Sequence, residues 1–190
     1  MKRYIRAAVL DLSQESLEDR RRIAENPNTD ARTLLALLED EQTRYYALRN
    51  PSMPVSKLAE LSESPDAQIR VYVAANPSTP VDILRKLAAD TSWRVRIQVA
   101  ANPNLPEDIM YDLLTAGESH VYQYLGNNPH VPVDILQQLS EDPDWAVRLQ
   151  VAYDMHNIVP KEILEALEND RSEPVRSAAR NSLRRFEEQI

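Results

Sequence analysis

Residues 76–103 read NPSTPVDILRKLAADTSWRVRIQVAANP, a stretch that opens and closes on the same dipeptide. Outward from Asn76-Pro77 and Asn102-Pro103, the Asn-Pro pair recurs at Asn26, Asn50 and Asn128, in steps of 24, 26, 26 and 26 residues. A fixed period of this size marks stacked structural repeats. A second proline follows four residues after the asparagine, at Pro54, Pro80, Pro106 and Pro132, and Pro160 continues the series after a two-residue insertion. Each opens an apolar pattern of helical period: Leu58 and Leu61, Leu84 and Leu87, Met110 and Leu113, Leu136 and Leu139, Leu164 and Leu167. The first unit has Asp30 in the proline position, followed by Leu34, Leu37 and Leu38.

Proline suits the first position of a helix, where its missing N–H is no loss. Acidic residues in the first turn, such as Asp82, Glu107, Asp108, Asp134 and Glu162, suit the positive end of the helix dipole. These segments are therefore expected to be helices with the proline at their first position. About a dozen residues beyond the first leucine comes a second motif: Thr43-Arg44, Ile69-Arg70, Val95-Arg96, Val121-Tyr122, Val147-Arg148 and Val175-Arg176, with Asp19-Arg20 as its earliest copy. It predicts a second, shorter helix that stops at the asparagine, because proline pushes the preceding residue out of the α region. Neither helix can bury its apolar stripe alone, so the units must stack, each against its neighbours.

The predicted fold is all-α: a solenoid of about six two-helix repeats of ~26 residues, with no sheet, in a single repeat domain over residues 1–190. Residues 1–25 form an N-terminal half-repeat that caps the array through Ile5, Ala8, Val9 and Leu12. Residues 26–174 form the repeats. Residues 175–190, with Val175, Ala178, Ala179, Leu183, Phe186 and Ile190 at helical spacing, form a longer closing helix.

The unit from Asn76 to Pro103, with its Asn-Pro, Pro-x-x-x-Leu-x-x-Leu and Val-Arg elements, resembles the leucine-rich repeat variant family, over roughly residues 19–181. The resemblance implies a right-handed, HEAT-like superhelix in which α-helices alternate with shorter 3₁₀ or α segments. Some members of that family carry an N-terminal iron–sulfur cluster bound by cysteines. This chain has no cysteine, so no redox role carries over. Beyond that, the resemblance implies binding in general and no chemistry.

The composition excludes much else. Without cysteine there are no thiolate metal sites and no cysteine nucleophile. Two glycines against 13 prolines leave no phosphate-binding loop. No apolar run approaches the ~20 residues of a membrane span, and the opening MKRYIRAAVLDLSQE lacks the apolar stretch of a signal peptide, so a cytoplasmic location is expected. The net charge is −8, yet residues 1–22 hold six basic and four acidic side chains and residues 171–190 hold five and three, which leaves 11 and 23 for residues 23–170. An acidic body disfavours nucleic acid and anionic membranes.

Among polar residues, Arg20, Arg44, Arg70, Arg96, Arg148 and Arg176 recur most regularly. They read best as a structural ladder in which each guanidinium pairs with carboxylates of its own or the adjacent unit, Asp40, Asp66, Asp90, Asp142, Asp144 and Asp170 recurring four or six residues before the arginines, because a buried guanidinium needs a partner. The asparagines supply turn chemistry, being tolerant of left-handed backbone and able to bond nearby peptide groups. His130 and His156 hold equivalent places two residues past Asn128 and Asp154, but two imidazoles alone make a poor metal site. No cofactor, metal or catalytic constellation is expected.

The aromatic residues are the better candidates for function. Tyr46, Tyr72 and Tyr124 share one register of the second helix, with Gln98 and Gln150 in the intervening copies, and Trp93 and Trp145 share another, 52 residues apart. Either set could pack between units or form a binding surface, since Tyr and Trp serve both uses. Residues 115–128, TAGESHVYQYLGNN, break the pattern: both glycines lie here, and Tyr122 replaces the arginine. Such departures mark functional places or drifting repeats.

The function expected is a non-enzymatic scaffold that binds a protein or peptide on its concave face through Tyr46, Tyr72, Trp93, Tyr122, Tyr124 and Trp145, with a basic segment suiting the acidic body. The alternative is a nucleic-acid-binding HEAT-like protein, which requires the repeated arginines and basic ends to line one groove. A third possibility is self-stacking through the open ends of the array.

Overall fold

A computed structural model describes residues 12–156 and 158–188. After a 3₁₀ turn at Leu12–Gln14 come α1 (Leu17–Glu25), α2 (Ala31–Leu38), α3 (Glu41–Arg49), α4 (Val55–Leu61), α5 (Ala67–Ala75), α6 (Val81–Ala88), α7 (Trp93–Ala100), α8 (Glu107–Thr115), α9 (Ser119–Leu125), α10 (Val133–Ser140), α11 (Trp145–Tyr153), α12 (Lys161–Leu167) and α13 (Glu173–Glu187). There is no strand among the described residues. Even-numbered helices carry the leucine pairs and odd-numbered helices carry the Val-Arg motif. From unit to unit the odd helices pack against one another more closely than the even ones do. The odd row therefore lies on the shorter, inner arc of the solenoid. Of the expected cap residues, Ile5, Ala8, Val9 and Ile190 lie outside the described residues, as does the side chain of Phe186; Leu12 packs against the core.

The core runs the length of the array between the two rows. Leu34, Leu58, Leu84, Met110, Leu136 and Leu164 of the even helices are fully buried against Val73, Val99, Leu125, Val151 and Ala179 of the odd ones. Helices of seven to nine residues are unstable alone in water. Each buried leucine contributes about 1.5–3 kcal/mol toward holding two units together.

The helix starts differ from expectation in two ways. Pro54, Pro80, Pro106, Pro132 and Pro160 are N-caps in extended conformation, and the helices begin one residue later. Each proline carbonyl already accepts the first helical bond, from Leu58, Leu84, Met110, Leu136 and Leu164. The second segments are not short and not 3₁₀: α3, α5, α7, α9 and α11 are α-helices of seven to nine residues, as long as the first helices. They begin three residues before the arginine position, and at Asp40, Asp66 and Asp144 a carboxylate caps the first turn by accepting from the N–H of Gln42, Gln68 and Ala146.

The turns show the interaction that ties unit to unit. Asn102 is 1% exposed. Its carbonyl accepts from Leu105 N–H and its Oδ1 from Asn104 N–H at 2.9 Å, closing the turn. Its Nδ2 donates backward to the carbonyls of Ala74 at 2.7 Å and Asn76 at 3.0 Å in the preceding unit. Asn50, Asn76 and Asn128, all buried, repeat this pattern. The backbone of Asn50 and Asn76 is extended, not left-handed (φ −68° and −74°), because the following proline forbids the helical region. Asp154, followed by Met155, does turn left-handed, at φ 39°. Its carboxylate cannot donate and instead accepts from Ile158 and Val159 N–H. Past that point α13 takes over, with Ser182 donating to the carbonyls of Ala152 and Tyr153 and Arg185 donating to that of Tyr153.

The opposite ends of the odd helices carry the arginines. Arg70 grips Asp90 of the next unit through two bonds of 2.7 and 2.9 Å, and Arg148 grips Asp170 in the same way. Arg96 reaches Glu118, and Arg20 reaches Asp40. The same guanidinium donates to a carbonyl of its own connection: Ser64 for Arg70, Asp142 for Arg148, Asp170 for Arg176. Arg44 likewise bonds the carbonyl of Leu38. The arginines are thus structural, and the carboxylates gripped by Arg20, Arg70, Arg96 and Arg148 belong to the following unit, one of the two placements expected.

Two outcomes follow. Asn102→Ala leaves the buried Ala74 carbonyl without this donor, takes one of two donors from the Asn76 carbonyl, which keeps Thr79 N–H, and leaves Asn104 N–H without its acceptor; it should cost about 2–4 kcal/mol in chemical denaturation, whereas Asp154→Asn should change stability by less than about 1 kcal/mol, since an amide oxygen can accept the same two bonds. Equal losses would contradict the ladder. Separately, the guanidiniums of Arg70 and Arg148 hold the carboxyls of Asp90 and Asp170 below the ordinary value of 3.8. The stability this contributes is complete at neutral pH and is lost as pH falls from near the unfolded value through the folded one. The melting temperature should hold level from about pH 7 to 5 and drop below about pH 4. An Asp90→Asn, Asp170→Asn variant should melt lower at neutral pH and fall less steeply in acid; a parallel fall would refute the assignment.

Candidate binding surface

In α3, α5, α7, α9 and α11 the residue before the arginine position and those three and four residues after it face the core. The opposite stripe of the odd helices is left toward the inside of the solenoid. It carries Gln42, Tyr45, Tyr46 and Arg49 on α3, Gln68 and Tyr72 on α5, Arg94 and Gln98 on α7, His120, Gln123 and Tyr124 on α9 with Asn127 just past its end, and Gln150 and Tyr153 on α11. The tyrosine register expected from the sequence is therefore on this surface.

The six expected residues do not behave alike. Tyr46 and Tyr72 are half-buried and pack against the core, and Tyr45 joins them edge-on, with ring centroids 5.1 and 5.0 Å away. Arg21 stands over the Tyr46 ring. Tyr124 is 45% exposed. Trp93 and Trp145 are 49% and 50% exposed at the N-terminal ends of α7 and α11, so they do not fill the gap between units. Trp93 lies against His120 of the next unit at 5.6 Å, with Arg94 beside its ring. Tyr122 belongs to the packing: its hydroxyl donates to the carbonyl of Leu114, its ring lies on the core, and burial pushes its phenol pKa up.

Residues 115–128 divide in the same way. Gly117 needs its glycine for a φ of 79°. At Gly126 an added Cβ would meet Leu139, Val151 and the Tyr122 carbonyl at 3.4 Å, ordinary contact, so the alanine of the sister units would fit. Tyr45 and Tyr153, both exposed, were missed. Tyr153 was within reach of the sequence, three residues after Gln150 of the tyrosine register and so on the same helix face; Tyr45 was not, because its register holds the buried Ile97 in α7.

Charge is segregated between the rows in the middle of the array, although the end helices of the odd row carry Glu18, Asp19 and Glu25 on α1 and Glu173 and Glu187 on α13. Helices α5, α7, α9 and α11 contain no acidic residue, and α3 has Glu41 alone, at its first position. The even helices carry Glu60, Asp82, Glu107, Asp108, Asp112, Asp134, Glu162 and Glu165. There Arg85 pairs with Asp108, Lys86 with Glu63, and Tyr111 donates to Asp134, which pushes its phenol pKa up to about 12. The expectation of a basic partner rested on net charge, and that charge is not on the inner face. Nor do the arginines form a phosphate groove, being engaged by carboxylates and carbonyls. His130 and His156 are exposed, and among the described residues no three His, Asp or Glu side chains converge as metal ligands. No helix among the described residues is long and apolar enough to cross a membrane.

A family model described as leucine rich repeat variant matches residues 67–92, which run from the start of α5 to the N-cap of α7. A solved structure described as a leucine-rich repeat variant with a novel repetitive protein structural motif superposes with a TM-score of 0.56 and 25% identity, covering 90% of this chain and 68% of that one. Curated proteins give no match. The repeating unit at residues 67–92 is thus similar to the leucine-rich repeat variant family, and the fold is a helical solenoid similar to that solved structure.

Proposed function

We propose that this chain is a non-enzymatic scaffold that binds a protein or peptide segment along its inner face. A repeat solenoid of this type is an interaction fold: stacked units present an extended curved surface and no single catalytic pocket. The observation that carries the proposal is the unsatisfied polar chemistry of that face. The hydroxyls of Tyr46, Tyr72 and Tyr124 and the side-chain amides of Gln68, Gln98 and Gln150 form no hydrogen bond with the described residues. Amphipathic aromatics and amides of this kind supply contact area together with hydrogen bonds to a partner's backbone.

The test uses Tyr124→Ala, Gln98→Ala and Gln150→Ala together, on three consecutive inner helices. Each is a surface truncation and should cost no more than about 0.5 kcal/mol, so the variant stays folded. A random displayed-peptide library panned against the wild-type chain should yield binders that the triple variant does not retain. Equal retention by both proteins, or no enrichment on the wild type, contradicts the proposal.

A further inference from the structure

Consecutive odd helices, from α1 to α13, meet at six seams, and most seams are latched at both ends. Near the helix starts, an arginine of one unit grips a carboxylate of the next. Near the helix ends, an asparagine or serine donates to a carbonyl of the unit before it. The seams α1/α3, α5/α7, α7/α9 and α11/α13 have both latches: Arg20 with Asp40 and Asn50 with the Ala24 carbonyl, Arg70 with Asp90 and Asn102 with the Ala74 carbonyl, Arg96 with Glu118 and Asn128 with the Ala100 carbonyl, Arg148 with Asp170 and Ser182 with the Ala152 carbonyl. The seam α3/α5 keeps Asn76 on the carbonyl of Leu48, while Arg44 bonds the carbonyl of Leu38 and grips no carboxylate among the described residues.

The seam α9/α11 has neither latch among the described residues. Tyr122 stands in the arginine place and donates to the Leu114 carbonyl of its own unit. Asp154 stands in the asparagine place; its carboxylate has only acceptors and takes the N–H groups of Ile158 and Val159. The carbonyl of Gly126, in the position of Ala74 and Ala100, therefore receives no such side-chain donor. The packing agrees: α3/α5 and α9/α11 are the two seams at which the odd helices lie least closely packed. At α3/α5 the Tyr45 ring bridges to Tyr72. At α9/α11 apolar contact continues, with Gly126 close to Leu139 and Val151. Such contact is non-directional and does not fix a tilt as hydrogen bonds do. On the outer row the same two units remain joined, by Tyr111 donating to Asp134 at 2.8 Å.

An outer row that is tied and an inner row that is unlatched make a hinge with its axis on the outer side. We propose that the solenoid consists of two plates, α1 to α9 and α10 to α13, and that the second swings about the α9/α11 seam, widening and narrowing the inner face between Tyr124 and Gln150. The inference goes beyond the binding role proposed above and does not depend on it. The seam also holds the carboxylate that a latch would need. Asp142 shares the register of Asp90 and Asp170, and its Oδ1 accepts from Asp144 N–H at 2.8 Å as theirs accept from Ser92 and Ser172 N–H. Burial and the negative charge of Asp142 push the phenol pKa of Tyr122 up, which marks that carboxylate as a near neighbour.

The chain has no cysteine, so spin labels can be attached in pairs at introduced cysteines without background. Gln68→Cys with His120→Cys spans α5 to α9, across two latched seams. Arg94→Cys with Ala146→Cys spans α7 to α11, across one latched seam and the hinge. Both pairs hold the same register two units apart, about 16–20 Å along the row. In double electron–electron resonance the distance distribution of the second pair should be at least about twice as broad as that of the first. Adding Tyr122→Arg to the second pair brings a guanidinium to Asp142 and should narrow the distribution to the width of the first; adding Asp142→Asn as well should broaden it again. Equal widths for the two starting pairs overturn the proposal, as does a folded Tyr122→Arg protein that stays as broad. Should Tyr122→Arg not fold, the comparison of the two starting pairs decides alone.

Discussion

The structure depends on a side chain that satisfies its own turn and its neighbour's at once. A buried turn carries peptide groups that must find partners, and leaving one without costs about 1–3 kcal/mol. In Asn50, Asn76, Asn102 and Asn128 the amide oxygen closes the local turn and the amide nitrogen caps two carbonyls one unit back. No other residue of that size offers two acceptor lone pairs and two donors on a planar head. The period of the sequence is thus the period of a hydrogen-bond ladder, and the leucine core fills the space that the ladder fixes.

On the other edge the arginines perform the same service with charge. The two ladders are interrupted in neighbouring places. Tyr122 replaces the arginine of α9, and Asp154 replaces the asparagine after α11. The array closes soon after, where Ser182 and Arg185 of the long α13 bond the carbonyls left at the end of α11. A serine and an arginine on a helix can end the ladder because they donate without asking for a further unit.

Much of this was legible in the residues. Repeat length, helix order, the core leucines and the structural arginines all follow from period and polarity, because each is a local rule repeated six times. What escaped the reading were the features set between units. The backward reach of the asparagine amide spans 26 to 28 residues and has no mark in a single repeat. The forward choice of Asp90 by Arg70, over the nearer Asp66, is likewise made between units, 20 residues along the chain. The expected left-handed asparagines failed because proline's steric demand outranks the tolerance of asparagine. On the candidate surface, net charge averages over helices of different composition. The acid-free composition of α5, α7, α9 and α11 was visible once the helices were treated separately.

The contrast between buried and free side-chain amides gives the most direct test. In a ¹⁵N-labelled sample, the side-chain NH₂ protons of Asn50, Asn76, Asn102 and Asn128 should be strongly protected from exchange with solvent, while those of Gln68, Gln98 and Gln150 should exchange as freely as in a short peptide. Asparagine amides that exchange as fast as the glutamines would mean that the units are not joined in this way.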